Sequence, residues 1–206
     1  MASNNTKERL IETAIDLIWI SSYGSVSVDD ICKTADVKKG SFYHYFPSKI
    51  DLAIAAMDTA FAEFKPMLDE IFSPATPPIE RFRKYIACGY EYQQEIQQKH
   101  GMVCGCPMVS LATEMAPQDQ SIQDKTDQII GCKTKYYESA IRDMITEGSL
   151  PENTDIEAKA KNIHSFIMGQ FVMARIQNSL EPLKPEIVED GLFSIMGADE
   201  KALESV

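Results

Sequence analysis

The 206-residue sequence predicts an all-α fold. Apolar residues recur every three or four positions through most of the chain, which is the spacing of an amphipathic helix. No stretch alternates between apolar and polar residues as a half-buried strand does. With 44% hydrophobic residues, the chain is long enough to bury a large core with a small module attached.

The first predicted helix spans residues 6–21, where the apolar positions follow helical spacing, and Tyr23-Gly24 ends it. A second, short helix follows Ser27, whose hydroxyl group is placed to cap it. Two aspartates in its first turn suit the positive end of the helix dipole. This helix closes near Asp36.

A third helix is predicted within residues 37–45, and Pro47 stops it because the residue before a proline avoids helical backbone. Ser48 then caps a fourth helix, which Pro66 is expected to kink or end. A loop follows at 73–78. Further helices are predicted at 79–99, 104–116, 119–147, 155–179 and 185–196.

Charge is distributed unevenly along the chain. Residues 1–50 contain six basic and six acidic side chains, whereas residues 51–206 contain 14 basic and 25 acidic ones and carry the whole net charge of −11. An acidic body disfavours attraction to polyanions, so any contact with nucleic acid is expected from the neutral N-terminal part. The sequence therefore predicts two parts with different partners.

The five cysteines form no regular framework, which is typical of thiols that stay reduced. The N-terminal sequence lacks the apolar run of a secretory signal. We therefore expect a cytoplasmic protein without structural disulfides and without a membrane partner.

The segment VKKGSFYHYFPSK, residues 37–49, concentrates lysines and aromatic residues in a short stretch. With the short helix before it, this segment forms the pattern of a helix-turn-helix, whose second helix can enter the major groove of DNA. Apolar residues at 28, 31, 35, 37, 42 and 46 would hold both short helices against the first. The predicted DNA contacts are Ser27, Lys38, Lys39, Gly40, Ser41, Tyr43, His44 and Lys49.

The predicted contacts suit different parts of a duplex. Lys39 and Lys49 would present point charges to phosphates. The hydroxyl and imidazole groups at positions 41, 43 and 44 can donate hydrogen bonds to phosphates or base edges. The alternative is a surface helix of an ordinary bundle, with solvated lysines and aromatic residues packed inward. Such a helix needs neither this brevity nor polar residues clustered beside its turn.

The run from Thr6 to Leu52, and above all VSVDDICKTADVKKGSFYHYFPSKIDL, resembles the N-terminal domain of TetR-family transcriptional repressors. The resemblance implies that the outward residues of the helix-turn-helix contact DNA. One departure is Asp36, where this family usually has glycine in the turn. Aspartate tolerates the left-handed backbone conformation better than most residues, so we expect the turn to survive.

The resemblance also implies a ligand-responsive repressor that binds a palindromic, double-stranded operator as a homodimer and is released by a small-molecule effector. It divides the chain into a helix-turn-helix DNA-binding domain at residues 1–50 and an effector-binding and dimerisation domain at residues 51–206. We expect neither a cofactor nor an enzymatic activity.

The helices near 155–179 and 185–196 fit the implied homodimer. Between Ile163 and Ile176 apolar residues surround the helix axis, and such a helix must be covered on all sides. One face can pack on its own body and the other on a partner subunit. A central helix buried inside a monomer has the same pattern, so this alternative stays open.

An effector cavity needs apolar walls and a few polar groups that orient the ligand. Aromatic residues and methionines at helical spacing supply both, although each of them also fits a core position. The predicted effector contacts are Tyr85, Tyr92, Gln93, Cys106, Met108, Tyr137, Phe166 and Gln170.

The segment HGMVCGCPMVSLATEM, residues 100–115, places Cys104 and Cys106 at the start of a predicted helix, where backbone amides favour a thiolate. It resembles the segment of a subset of TetR relatives in which a cysteine senses electrophiles or oxidants. The hypothesis is that Cys106 is a reactive sensor with Cys104 as a resolving partner. The alternative is an inert, partly buried cysteine.

Two other classes of protein compete with a regulator. His100, Cys104 and Cys106 offer three metal donors, but the Cys-x-Cys spacing lacks a second matching pair. A thiol enzyme could pair Cys106 with His100 or His164, yet no supporting motif accompanies them. Neither class explains the composition of residues 24–49.

Overall fold

The computed structural model describes residues 2–197, with side chains from residue 5 onward, and these residues form helices and loops. The predicted all-α class is confirmed. The helices are α1 (Ala2–Ile20), α2 (Val28–Thr34), α3 (Lys39–Tyr45), α4 (Lys49–Ile71), α5 (Pro78–His100), α6 (Pro107–Met115), α7 (Gln120–Thr146), α8 (Ile156–Gln177) and α9 (Pro185–Met196), with a 3₁₀ turn at Glu181–Leu183.

Pro66 does not end α4, which continues to Ile71. Leu68 and Ile71 in the following turns are buried. Their packing outweighs the backbone hydrogen bond that a proline cannot donate, because most helical stability in proteins comes from burial of an apolar face.

The sixth helix begins later than the sequence predicts, at Pro107 instead of residue 104. Gly105 has a positive φ of 67°, which is incompatible with a right-handed helix. Proline suits the first helical position because its missing N–H has no partner there in any case. The two cysteines of this segment therefore precede α6.

The described residues divide into two compact units. The first contains residues 2–64 and Cys106–Ile129, and the second contains Lys65–Gly105 and residues 130–197. Both α4 and α7 therefore pass from one unit into the other. The functional boundary expected after residue 50 stays a prediction.

The first unit is built around one apolar core. The two short helices α2 and α3 pack there with α1, the first part of α4, α6 and the first part of α7. Six helices contribute side chains with at most 5% exposure: Leu10, Ile31, Phe42, Leu52, Leu111 and Ile122. The helix-turn-helix thus contributes to a larger core that four other helices share.

An aromatic cluster lies in the core of the second unit. The ring centroids of Phe72, Phe82 and Tyr137 are 5.6–5.9 Å from one another, and Tyr85 joins them at 5.7 Å from Phe72 and Tyr137. These distances are typical of tilted and edge-to-face packing. The cluster joins α5, α7 and the residue that follows α4.

A buried arginine fastens the loop between α4 and α5. Arg81 is 2% exposed, and its Nη1 donates to Oδ2 of Asp143 at 2.6 Å. Its Nε donates to the carbonyl oxygen of Thr76 at 2.7 Å. The loop is therefore tied to α7 through one guanidinium group.

His164 is a neutral base inside the second unit. Its imidazole is 6% exposed and lies 6.2 Å from the ring of Tyr137, and its Nδ1 has no hydrogen-bond partner among the described residues. Burial, and next the positive charge of Lys133, lower the pKa of His164 from 6.5 to about 4.

We expect His164 to make the protein less stable in mild acid. Its pKa is lower in the folded state, so the unfolded chain binds the extra proton between about pH 6.5 and 4. Its contribution is fully present above pH 6.5 and is lost as the pH falls toward 4. Between pH 7.5 and 5.0 the free energy of unfolding should fall by about 2 kcal/mol from this group.

Urea unfolding at both pH values, for the wild type and for His164→Gln, measures this effect. The variant should lose less stability on acidification than the wild type. Equal losses in the two proteins would contradict the assignment.

Candidate nucleic-acid interface

A capping box starts α2. The hydroxyl of Ser27 accepts a hydrogen bond from the backbone N–H of Asp30 at 3.1 Å, and Oδ2 of Asp30 accepts one from the backbone N–H of Ser27 at 2.9 Å. Hydrogen bonds from Ser27 lower the pKa of the Asp30 carboxyl. The side chain of Ser27, a predicted DNA contact, therefore serves first as the helix cap.

The turn between α2 and α3 is a Schellman motif. Val37 N–H donates to the carbonyl oxygen of Cys32 at 2.9 Å, and Asp36 N–H donates to that of Lys33 at 3.3 Å. Asp36 adopts the left-handed conformation, with φ of 51°. The expectation that the turn survives an aspartate at this position is confirmed.

The third helix buries its apolar face and presents its polar face to solvent. Phe42 is fully buried, Phe46 is 3% exposed, and Tyr45 is half-buried. Tyr43, by contrast, is 51% exposed. Of the other predicted contacts on this segment, Ser41 is half-buried, and Lys38, Lys39, Gly40 and His44 are exposed.

An ion pair links the outer faces of α2 and α3. Nζ of Lys39 lies 2.8 Å from Oδ1 of Asp29, and both side chains are more than half exposed. Hydrogen bonding to Asp29 raises the pKa of Lys39, so this side chain carries its full positive charge at neutral pH. A phosphate at this place would compete with Asp29 for the ammonium group.

Lys49 is bound inside the first unit. Its Nζ donates to the carbonyl oxygens of Tyr23 and Val26, each at 2.8 Å, and lies 3.8 Å from the centroid of the Tyr23 ring. Burial lowers the pKa of Lys49. The structure thus gives this ammonium group three internal contacts, while its predicted contact with a phosphate stays a prediction.

Glu114 of α6, which carries the opposite charge to Lys49, binds the same loop between α1 and α2. Its carboxylate accepts hydrogen bonds from the backbone N–H groups of Tyr23 at 2.9 Å and Gly24 at 2.6 Å. A Cβ at position 24 would lie 2.7 Å from Oε1 of Glu114, so glycine fits this close approach. No sequence signal points to Glu114, because its partners lie 90 residues away in the chain.

The predicted effector contacts are divided between the two units. Cys106 and Met108 belong to the first unit, whereas the other six belong to the second. Within the second unit Tyr92 is 47% exposed, but Tyr85 and Tyr137 are buried in the aromatic cluster. Phe166 and Gln170 are half-buried on α8.

Gln93 is engaged with the backbone ahead of α6. It is 1% exposed, its Nε2 donates to the carbonyl oxygen of Gly105 at 3.1 Å, and its Oε1 accepts from the Gly105 N–H at 2.9 Å. Arg175 donates to the carbonyl oxygen of Cys104 at 2.7 Å, and Asn178 accepts from the Val103 N–H at 2.9 Å. The amide group of Gln93 thus binds both backbone polar groups of Gly105.

The two cysteines before α6 differ in environment. Cys106 is the N-cap residue of α6 and is half-buried. Cys104 is fully buried, and burial raises the pKa of its thiol, against the opposing effect of Arg175. A buried thiol with a raised pKa is poorly suited to act as a resolving partner. The sensor role of Cys106 stays a prediction.

Within residues 2–197 no group of three or more His, Cys, Asp or Glu side chains is arranged to hold a metal ion. Over the same residues, no helix combines the length and apolar character needed to span a membrane. A cavity of about 380 Å³ lies beside the start of α8 and the end of α9, and none of the predicted effector contacts lines it.

Two family models match the chain. The model described as "Bacterial regulatory proteins, tetR family" matches residues 10–56. The model described as "Tetracyclin repressor-like, C-terminal domain" matches residues 78–185, which is more than half of the chain. The first match contains the capping box, the Schellman turn and α3.

Curated relatives and solved structures agree with these matches. The transcriptional repressor NemR of Escherichia coli K12 is 26% identical over 184 residues, covering 88% of this chain and 89% of NemR. The transcriptional regulator AcuR of Cereibacter sphaeroides is 27% identical, covering 85% of this chain and 79% of AcuR.

The crystal structure of reduced E. coli NemR superposes with a TM-score of 0.78 at 25% identity, covering 94% of this chain and 98% of that one. A TetR-family regulator from Agrobacterium tumefaciens has a TM-score of 0.82 at 20% identity, covering 94% and 99% of the two chains, and shows the same fold.

We expect Lys49→Met to destabilise the first unit. Methionine keeps the length of the side chain but leaves the carbonyl groups of Tyr23 and Val26 without their donor, which should lower the free energy of unfolding by about 1–3 kcal/mol. Urea unfolding followed by circular dichroism measures the change. The control is Lys38→Met, the same substitution at an exposed position. Equal midpoints for the two variants would show that the internal contacts of Lys49 contribute nothing.

Proposed function

Because the chain belongs to the TetR family of bacterial regulatory proteins, we propose that it is a cytoplasmic transcriptional repressor that binds a palindromic operator as a homodimer. A small-molecule effector bound by the second unit releases the DNA. The protein acts as a regulator and not as an enzyme. Its five cysteines without a regular framework are typical of a reducing compartment.

The observation that carries the proposal is the exposed polar face of α3. Lys38, Lys39, Tyr43 and His44 are exposed on a helix whose opposite face is anchored by Phe42. Such a face can contact phosphates and base edges when the helix lies in a major groove. Since the charge of residues 51–206 is strongly negative, attraction to DNA has to come from the N-terminal part of the chain, which contains α3.

An exposed apolar face on α8 supports the homodimer. Val172, Met173 and Ile176 are 37%, 42% and 71% exposed, and Ile187 of the neighbouring α9 is 40% exposed. The residues of α8 that face its own unit, among them Ile163 and Ile167, are buried. This exposure favours an interface over a helix buried inside a monomer, and we propose that a second copy of the chain covers the apolar face.

The fourth helix is the proposed route from effector to DNA. It runs without interruption from Lys49 to Ile71. Its residues up to Phe64 belong to the first unit and those from Lys65 onward to the second, and Pro66 follows directly. An effector that binds one conformation of the second unit better than another changes the population of DNA-competent dimers. A helix bend at Pro66 would change the spacing of the two recognition helices.

Selection of duplexes from a random DNA pool by the purified protein tests the proposed function. We expect enrichment of a palindrome whose half-sites are about 34–36 Å apart, because two recognition helices of a dimer meet successive major grooves. Lys39→Ala should then weaken binding to every sequence and reduce the slope of log affinity against log salt by about one. A folded dimer that enriches no sequence would contradict the proposal, and a changed sequence preference of Lys39→Ala would contradict its phosphate contact.

Ile176→Asp should turn the dimer into a monomer. A carboxylate at the most exposed apolar position of α8 would be buried without a partner in the dimer but solvated in the monomer. Sedimentation velocity measures the mass, and Ala75→Asp in the exposed loop before α5 is the control for the added charge. An unchanged dimer mass for Ile176→Asp would exclude this face as the interface.

A further inference from the structure

Arg9 of α1 contacts the turn of the helix-turn-helix. Its Nη2 donates to the carbonyl oxygens of Ala35 at 2.5 Å and Asp36 at 2.7 Å, and its Nε donates to that of Ala35 at 3.2 Å. The sequence pattern assigned Arg9 no role. One guanidinium group thus binds two consecutive carbonyl groups of the turn, which lies 26 residues further along the chain.

These carbonyl groups belong to the end of α2, where a helix needs donors. Ala35 is the C-cap residue, and Asp36 is the residue after it. The last carbonyl groups of a helix have no partner within it, and its C-terminal end favours a positive charge. Arg9 supplies both donors and charge in a planar group that suits two acceptors.

The turn needs this support because of its residue at position 36. Asp36 has a φ of 51°, a conformation that glycine adopts freely and that strains a residue with a Cβ. The two Schellman hydrogen bonds, donated by Val37 and by Asp36 itself, tie the strained backbone to the last turn of α2. Arg9 holds it from the neighbouring helix.

The turn determines where α3 points. Only two residues, Val37 and Lys38, separate Asp36 from the first residue of α3, and the fully buried Phe42 is the central anchor of that helix. A change in the backbone of Asp36 would therefore rotate α3 about its anchor and move every outward side chain together. Hydrogen bonds to base edges depend on such orientation more strongly than attraction to phosphates does.

We propose that Arg9 is a positioning residue that holds the turn at Asp36, and with it α3, in the orientation that reads DNA sequence. The proposal rests on the proposed function as a DNA-binding regulator. Arg9 acts through the backbone of the turn and not through contact with DNA. Its loss therefore lowers sequence specificity more than it lowers general affinity for DNA.

Four variants separate positioning from other roles of Arg9. Arg9→Met removes the donors and keeps most of the side-chain length. Lys7→Met removes one positive charge from an exposed position of the same helix and is the matched control for charge. Asp36→Gly relieves the strained backbone, and the double variant Arg9→Met/Asp36→Gly tests whether the turn still needs Arg9 once the strain is gone.

Fluorescence anisotropy at one salt concentration compares binding to the selected operator and to a scrambled duplex. We expect Arg9→Met to weaken operator binding by about tenfold or more and binding to the scrambled duplex by less than about threefold. Lys7→Met should weaken both by the same factor. In the Asp36→Gly background, Arg9→Met should have little further effect on operator binding.

Equal losses on both duplexes for Arg9→Met would overturn the proposal in favour of a phosphate contact or a loss of folded protein, and urea unfolding distinguishes these two. Failure of Asp36→Gly to reduce the effect of Arg9→Met would also overturn it.

Hydrogen exchange tests the same proposal without DNA. Arg9→Met should increase the exchange rate of the Val37 and Phe42 amides by about tenfold relative to core amides of α1, whereas Lys7→Met should not. Unchanged exchange at Val37 would overturn the proposal even if the protein selected no DNA sequence. If the wild type selects no sequence but Arg9→Met shows the expected increase in exchange at Val37, the result would contradict the proposed function alone.

Discussion

The seven-residue α3 is too short to be stable by itself, and the first unit is organised around this constraint. Its position depends on the burial of Phe42, on the Schellman turn before it and on Pro47 after it. The capping box at Ser27 and the guanidinium group of Arg9 fix α2, from which that turn begins. The exposed polar face of α3 thus takes its geometry from the buried and hydrogen-bonded residues behind it.

Several charged side chains of the first unit bind backbone groups. Lys49 binds carbonyl groups and Glu114 binds N–H groups of the same loop between α1 and α2, so α4 and α6 hold that loop with complementary charges. Hydrogen bonds to charged groups are stronger than those between neutral groups. The exposed pair of Asp29 and Lys39 is different, since solvent and salt screen it and a phosphate can replace the carboxylate.

The second unit combines buried polar groups with an uncovered apolar face. Arg81 and Gln93 are almost fully buried, and each satisfies backbone groups of a loop. On α8, in contrast, Ile176 is 71% exposed. The proposed homodimer would cover this face.

The amino-acid sequence is sufficient to predict the helices, the helix-turn-helix and the family. Helical periodicity, the cap at Ser27 and the break at Pro47 are local signals. The family resemblance implied the left-handed turn, and the properties of aspartate indicated that it survives at Asp36. The local pattern left open whether Pro66 kinks or ends α4, because the burial of Leu68 and Ile71 is not visible in it.

Which polar side chains face outward and which bind the backbone depends on the tertiary structure. Lys38 and Lys49 look alike in the sequence, yet Lys38 is exposed and Lys49 binds two carbonyl groups. Glu114 and Arg9 find their partners 90 and 26 residues away. Helix formation depends mainly on residues that are close in the sequence. The hydrogen-bond partner of a side chain depends on residues that are close in space, and these come together only when the chain folds.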